Sequence, residues 1–315
     1  MGSYLLKRAG FLFVTFFLAS IMIFAVTRWL PGDVARVILG REAGEAALED
    51  LREELGLNAP VPVQYVRWLR GFVVGDWGDS FSTGSAIRPL VVGRLQNSLR
   101  LAGVTLVLSI PLAIGLGILA GLNEGHAIDA VISISSLSVV GLPEFVTGLL
   151  LIQIFAFQLD WLPANSSVSP EASFLESLPM LILPALTATL VLLAYVARLV
   201  RAGVIEELKQ AYVRTATLKG LSRRTVIIQH VLRNALLPTI TVIAISFGWL
   251  ISGLVVVENV FNYPGMGRLF VFAVNRRDLP LIQAVTMITV VGFSSANLVA
   301  DLLYAVLNPE IRLGA

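Results

Sequence analysis

Carboxylates set inside apolar runs are where this sequence could do chemistry. Glu144 stands in the otherwise uncharged stretch Ala130–Leu159, directly after Pro143, and Asp301 interrupts the last apolar run near its end. A carboxylate at the centre of a bilayer costs about 2.5–3.5 kcal/mol on insertion scales, so such residues line pathways or find partners. Gln153, Ser294, Ser295 and Asn297 are weaker members of the same class. With Glu144 and Asp301 they form the candidates for a translocation pathway. Each carboxylate also has a plainer reading. A break after Pro143 lets Glu144 reach water or an interhelical hydrogen bond, and Asp301 can lie at the headgroups or pair with an arginine.

Other reactive side chains are scarce. The chain has no cysteine, which excludes thiol catalysis, disulfides and thiolate metal sites. His126 and His230 lie far apart, so no cluster has metal-ligand spacing. None of the lysines Lys7, Lys209 and Lys219 follows the glycine that a G-x-x-x-x-G-K-[ST] phosphate loop requires. An intramembrane enzyme would need paired carboxylates, a His–Ser dyad or metal ligands near the membrane surface, and none is arranged that way. The expectation is a chain with no catalytic residues, no metal and no cofactor of its own.

The elements that must carry these residues follow from composition. Hydrophobic residues make up 56% of the 315 and charged residues 14%, against about 45–50% and about 25% in soluble domains. Six stretches approach the roughly 20 apolar residues that cross a hydrocarbon core: Ala9–Thr27, Leu101–Leu122, Ala130–Leu159, Leu178–Ala197, Ala235–Val257 and Leu279–Ala300. Backbone groups in lipid must be bonded internally, and the short alternating segments of a barrel are missing, so the fold class is an all-α polytopic membrane protein with six transmembrane helices. Ala130–Leu159 is too long for one straight span and predicts a tilted or broken helix at Pro143. The uncharged run Ala9–Thr27, preceded by Lys7 and Arg8, exceeds a signal-peptide core and reads as a retained helix. A net charge of +2 gives no reason to expect nucleic acid.

Two polar excursions divide the chain into an N-terminal helix (1–30), a small periplasmic helical subdomain (31–97) and a five-helix core (98–315) with a cytoplasmic segment at 201–235. In the first excursion, Leu48, Leu51 and Leu55 share a helical face that Gly56 ends, and Gln64–Phe72 forms a second amphipathic turn or two. Trp68, Trp77 and Phe81 there either pack within the subdomain or anchor a partner. The second excursion carries seven Lys/Arg, while Asp160–Ser177 carries none. That asymmetry places 201–235 and both termini in the cytoplasm. Val204–Lys219 reads as one helix with Ile205, Leu208, Tyr212, Thr215 and Leu218 near one another. Gly220 closes it and Ser222 caps the next. A basic loop of this kind either sits against anionic headgroups as a topology signal or docks a soluble partner.

AYVRTATLKGLSRRTVIIQHVLRNALLP (Ala211–Pro238) resembles the coupling segment of ABC importer permeases of the dipeptide, oligopeptide and nickel group. The resemblance extends through LPGD (Leu30–Asp33), LGLNAPVPVQYVRWL (Leu55–Leu69), GDWGDSF (Gly75–Phe81), VVVENVFNYPGMGRL (Val255–Leu269), NRRDLPLIQA (Asn275–Ala284) and NLVADLLYAVLNPEIR (Asn297–Arg312). So many motifs in fixed order are a specific signal. The resemblance implies a pore-forming subunit that imports peptides or similar small solutes by alternating access across a bacterial or archaeal inner membrane. ATP and Mg would be held by two separate ATP-binding subunits. Further implied partners are a second permease subunit, related or identical, a periplasmic or lipid-anchored solute-binding protein, and membrane lipid. The positions matching the ATPase contact are Tyr212, Arg214, Thr215, Ala216, Lys219 and Gly220. Thr217 and Leu218 depart from the group's usual residues, as does Leu232-Arg233 from the Leu-Pro of other importers. Glu258 matches a motif at the periplasmic gate, and with Trp68, Trp77 and Phe81 it completes the gate and binding-protein candidates. A secondary transporter driven by an ion gradient is the alternative that explains the spans but not the segment at 211–238.

Overall fold

A computed structural model describes residues 2–29, 34–40, 42–54, 56–167 and 173–307. Leu30–Asp33, Leu55 and the tail from Asn308 onward lie outside the described residues. Among the described residues the fold is helical, and the one β feature is an isolated antiparallel bridge between Asp79 and Ala86.

Four helices are long and apolar enough to cross a membrane unbroken. They are α1 (Gly2–Trp29), α5 (Ile87–Leu122), α8 (Phe174–Leu208) and α15 (Leu279–Leu307). Two bent pairs bring the total up to six if each pair counts as one span. In the first pair, α6 (Ala127–Gly141) and α7 (Glu144–Leu151, extended by a π-helical stretch Ile152–Gln158) meet at 106°. The break has a local cause: Leu142, which precedes Pro143, is extended with ψ 133°, the conformation that a following proline ring imposes. The second pair joins α10 (Arg223–Thr225), a π-helical stretch Val226–Val231 and α11 (Leu232–Ala235) to α12 (Leu237–Gly253), with a bend of 45°. Short helices complete the chain: α2 (Val34–Leu39), α3 (Glu45–Glu54), α4 (Val61–Val74), α9 (Ala211–Leu218), α13 (Val255–Val260) and α14 (Met266–Arg276).

The central seam is α5 against α8, the most extensive helix contact in the fold. Small residues make the close approach possible. A methyl group on Gly117 would stand 2.6 Å from the Ala197 carbonyl oxygen and 2.6 Å from Val200 Cβ, and one on Gly121 would stand 2.8 Å from Val204 Cβ. Gly117→Val should therefore force the helices apart and cost about 1–3 kcal/mol, read as a lower Tm of the detergent-solubilised protein. An unchanged Tm would show that the seam tolerates expansion.

Helix α1 packs along α15 and is pinned near both ends. Gln283 Nε2 donates to Thr27 Oγ1 at 2.8 Å, and the Arg8 guanidinium pairs with Asp301 at 3.1 Å. The short helix α4 lies against the far end of α1 through an aromatic ladder. Phe24 meets Tyr65 and Trp68 at centroid distances of 5.5 and 5.7 Å, and Phe72 stacks on Trp77 at 5.5 Å.

Helix α8 does not continue to Lys219 as its pattern predicts. It ends at Leu208 in tight i−3 bonds from Lys209 to Glu206 and from Gln210 to Glu207, and Gln210 is extended before α9 starts. The break resets the helical phase. The face of α9 that packs is Val213 and Ala216, and Leu218, expected beside Ile205 and Leu208 on one helical stripe, is 80% exposed.

Candidate functional site

The basic segment forms a compact helix–turn–helix at one end of the bundle. Gly220 has φ +81°, and a methyl added there would meet nothing within 4 Å, so glycine serves the backbone alone. Ser222 then caps α10, its Oγ accepting from the Thr225 amide at 3.3 Å. Tyr212 fastens α9 to its surroundings: its hydroxyl donates to Glu207 and accepts from Asn234 Nδ2 at 3.1 Å. Burial, and secondarily the Glu207 bond, raise this phenol above its ordinary value, so it remains a neutral donor. Tyr212, Arg214, Thr215, Lys219 and Gly220 are all exposed, and Ala216 is buried beneath them. The exposed Leu218 and Leu221 add apolar surface at the tip.

At the opposite end the structure builds two buried knots. Glu258 in α13 is 1% exposed. It accepts hydrogen bonds from Ser98 Oγ at 2.5 Å, the Gly267 amide at 2.7 Å and the Arg268 amide at 3.2 Å. The two amides belong to the first turn of α14, where a helix favours an anion. Ser98 Oγ in turn accepts from the Met266 amide, and the Tyr263 hydroxyl donates to the Asn97 carbonyl at 2.8 Å. Burial drives the Glu258 carboxyl above its ordinary value, opposed in part by these donors, and burial together with Glu258 raises the Tyr263 phenol. Glycines make room. A methyl on Gly265 would stand 2.1 Å from Glu258 Oε1, and one on Gly267 would stand 2.5 Å from the Val255 Cα.

The second knot is centred on Asp278, which is fully buried between α14 and α15. Its Oδ2 accepts from Ser80 Oγ at 2.6 Å, Ser82 Oγ at 2.7 Å and the Ser82 amide at 3.0 Å, while Oδ1 caps α15 through the Leu281 amide at 3.3 Å. Two motifs widely separated in sequence, GDWGDSF and NRRDLP, thus hold each other.

Trp68, Trp77 and Phe81 come together on the wall of a cavity of about 410 Å³, with Arg28, Arg67 and Gln283 among its other lining residues. Trp77 Nε1 donates to the Phe72 carbonyl at 3.1 Å. Glu258 is buried away from these aromatics, in the wall of a second cavity of about 160 Å³. The pathway candidates split into two groups. Ser294, Asn297 and Asp301 line a cavity of about 270 Å³ between α1 and α15, together with Arg8. Glu144 lies in the first turn of α7, with its Oε1 and the Thr147 Oγ1 one turn on both buried and without a hydrogen-bond partner. Gln153 is exposed on the π-helical stretch. Sequence reasoning missed Ser98, Asp129, Arg201 and Asp278 as site-building residues. The one available signal was glycine crowding after Glu258, in YPGMG.

Comparison with known proteins fits this geometry. The family model "binding-protein-dependent transport system inner membrane component" matches residues 113–313, and the N-terminal model for membrane components of the same systems matches residues 1–116. The chain is 38% identical over 312 residues to a probable peptide ABC transporter permease of Sinorhizobium fredii, covering 99% of this chain and 100% of that protein. It is 36% identical to a glutathione transport system permease of Escherichia coli, covering 99% of each. Among solved structures, an amino acid ABC transporter shares the fold, with TM-score 0.50 and 18% identity over 69% of this chain and 93% of that one.

Proposed function

We propose that this chain, which belongs to the family of binding-protein-dependent transport system inner membrane components and is the permease subunit of an ATP-driven importer, carries peptides or peptide-like small solutes inward by alternating access. The observation that carries the mechanism is α9, held from beneath by Val213 and Ala216 while Tyr212, Arg214, Thr215, Leu218 and Lys219 face outward on a stiff basic turn. Such a face suits insertion into a cleft of a separate ATPase, and the excess of Lys/Arg in this segment supports a cytoplasmic position for it and for both termini. ATP and Mg are then bound and hydrolysed on two partner chains. Their closure pushes α9, and the spans rock between inward-open and outward-open states. A solute moves only because its affinity differs between those states.

The solute class rests on relatives: a probable peptide permease and a glutathione permease match the chain along 99% of its length. A second permease subunit completes the pore, and a solute-binding protein delivers cargo to the outer face, where Trp68, Trp77 and Phe81 line one cavity. Glu144 with its unpartnered oxygen is the strongest pathway candidate, since an orphaned buried carboxyl oxygen is costly unless something else engages it. Glu258 organises the outer gate from within.

Reconstitution tests the whole reading. Proteoliposomes with the permease, ATPases and binding protein should take up solute only with ATP. Uptake by this chain alone on a proton or sodium gradient would establish the secondary transporter instead. The coupling turn has its own test. Gly220→Val forces a β-branched residue to φ +81°, at a cost of about 1–2 kcal/mol with no steric contact to confuse the result. Membrane insertion should survive while solute moved per ATP falls. An unchanged ratio would remove the turn from the mechanism.

A further inference from the structure

The first turn of α6, directly after the α5–α6 turn Asn123–His126, carries the most completely satisfied carboxylate near the coupling end of the bundle. Asp129, in the first turn of α6, has a side chain only 6% exposed. Its Oδ1 accepts from Arg201 Nε at 2.5 Å and from Ser133 Oγ at 3.2 Å. Its Oδ2 accepts from Arg201 Nη2 at 2.8 Å and from the Gly125 amide at 3.0 Å. Gly125, at φ +77°, is the residue that lets the turn fold back onto this oxygen. A paired, two-point guanidinium–carboxylate contact fixes orientation as well as distance.

Arg201 sits two turns before the end of α8, the helix that leads into α9. A second ion pair, Lys209 Nζ to Glu124 Oε1 at 3.2 Å, bridges the same two elements at the point where α8 stops. Beside and between these pairs, Gly117 and Gly121 bring α5 against Val200 and Val204 with no room for a side chain. Ion pairing and close packing thus join α8 to the α5–α6 turn along three successive helical turns. Beyond that turn, α6 runs directly to the break at Pro143 and to Glu144. The unpartnered Glu144 oxygen therefore lies just past the far end of a helix whose near end is anchored to the element bearing α9.

We propose that Asp129 and Arg201 are positioning residues that make α8 and the α5–α6 turn one rigid piece, so that displacement of α9 reaches the broken helix α6–α7 and not α8 alone. This rests on the importer reading given above. A buried ion pair is weak grounds for stability, since apolar replacements are often neutral; its two-point geometry is what a transmission joint needs.

The test uses the complete importer, with its ATPase chains and binding protein, in proteoliposomes. Asp129→Asn and Arg201→Gln should leave ATP hydrolysis stimulated by the binding protein close to wild type while solute uptake falls about tenfold, so that ATP consumed per solute rises by that factor. Arg201→Lys, which keeps the charge but loses the fork, should recover part of the loss. Variants that keep the wild-type ratio, or that lose hydrolysis and uptake together, overturn the proposal. A second measurement does not depend on those variants folding. The chain has no cysteine, so Glu124→Cys and Lys209→Cys can be joined by a short bis-maleimide. Undiminished turnover of the joined protein supports a rigid piece, and arrest overturns it. Uptake that ignores ATP in the wild type would instead sink the importer reading, an outcome distinct from ATP-driven wild type with variants of normal ratio.

Discussion

Glu258→Ala should cost the folded protein about 3–5 kcal/mol and abolish transport, because it strands three donors at once, two of them buried. The Ser98 hydroxyl and the Gly267 and Arg268 amides all point at a carboxylate that would be gone, at a residue that is 1% exposed. Gly265→Ala should reach a similar result from the other side, since its methyl would collide with the Glu258 carboxyl, which its three hydrogen bonds hold in place. Glu258→Gln should be far milder. The raised carboxyl means that the folded protein holds a proton more tightly than the unfolded chain, and glutamine copies the protonated shape. The sign of the pH dependence follows. Because the folded state binds more protons, this contribution is fully present below the ordinary value near 4.5 and is lost as pH rises through the raised folded value. Thermal unfolding of the detergent-solubilised protein, followed upward from pH 4.5, should show that slope in the wild type and lose it in Glu258→Gln. A slope of the opposite sign would mean that the amide donors outweigh burial and that the carboxylate is ionised throughout.

The spans are legible in the sequence because lipid imposes a length and a composition that no soluble core shares, and Pro143 announces its own break. Gly220 and Ser222 are legible for the same kind of reason: each solves a local backbone problem, and neighbours within a few residues suffice to pose it. What local pattern cannot give is phase across an unmarked interruption. Nothing between Glu207 and Ala211 signals a stop as proline or glycine would, so a stripe through Ile205, Leu208, Tyr212, Thr215 and Leu218 looks continuous, whereas Gln210 turns the chain and leaves Leu218 in the open.

Long-range pairing is the other blind spot. Asp129 finds Arg201 across 72 residues, Glu258 finds Ser98 across 160, and Asp278 finds Ser82 across 196. No spacing rule connects such partners. As isolated letters, Asp129 and Asp278 resemble ordinary loop acids and Arg201 resembles one more topology charge. Only the glycines packed after Glu258 hint that something large must be accommodated there. The site is therefore readable as a set of motifs, while the reason each motif has its residues appears once the chain has brought them into contact.

Asp278→Ala should be the second most damaging single change, at about 2–3 kcal/mol. It removes the cap of α15, which contributes about 1 kcal/mol, and takes the acceptor from the Ser82 amide at a part-buried position. The serine hydroxyls lose less, since Ser80 Oγ and Ser82 Oγ lie 3.3 Å apart and can turn toward each other. Asp278→Asn, with one acceptor oxygen left, should retain the cap and lose the serine grip, giving about half the effect. Limited proteolysis reads the local consequence: the Gly78–Gly84 segment should become cleavable in Asp278→Ala while α15 stays protected, and an unaltered digest with an unaltered Tm would refute the clamp. The two knots also make a joint prediction. Helix α14 is held by Glu258 at its first turn and by Asp278 just past its last, so freeing one end already releases much of what the other restrains. The double variant should then lose less stability than the two single losses added together, whereas strict additivity would mean that the knots act on separate parts of this end of the bundle.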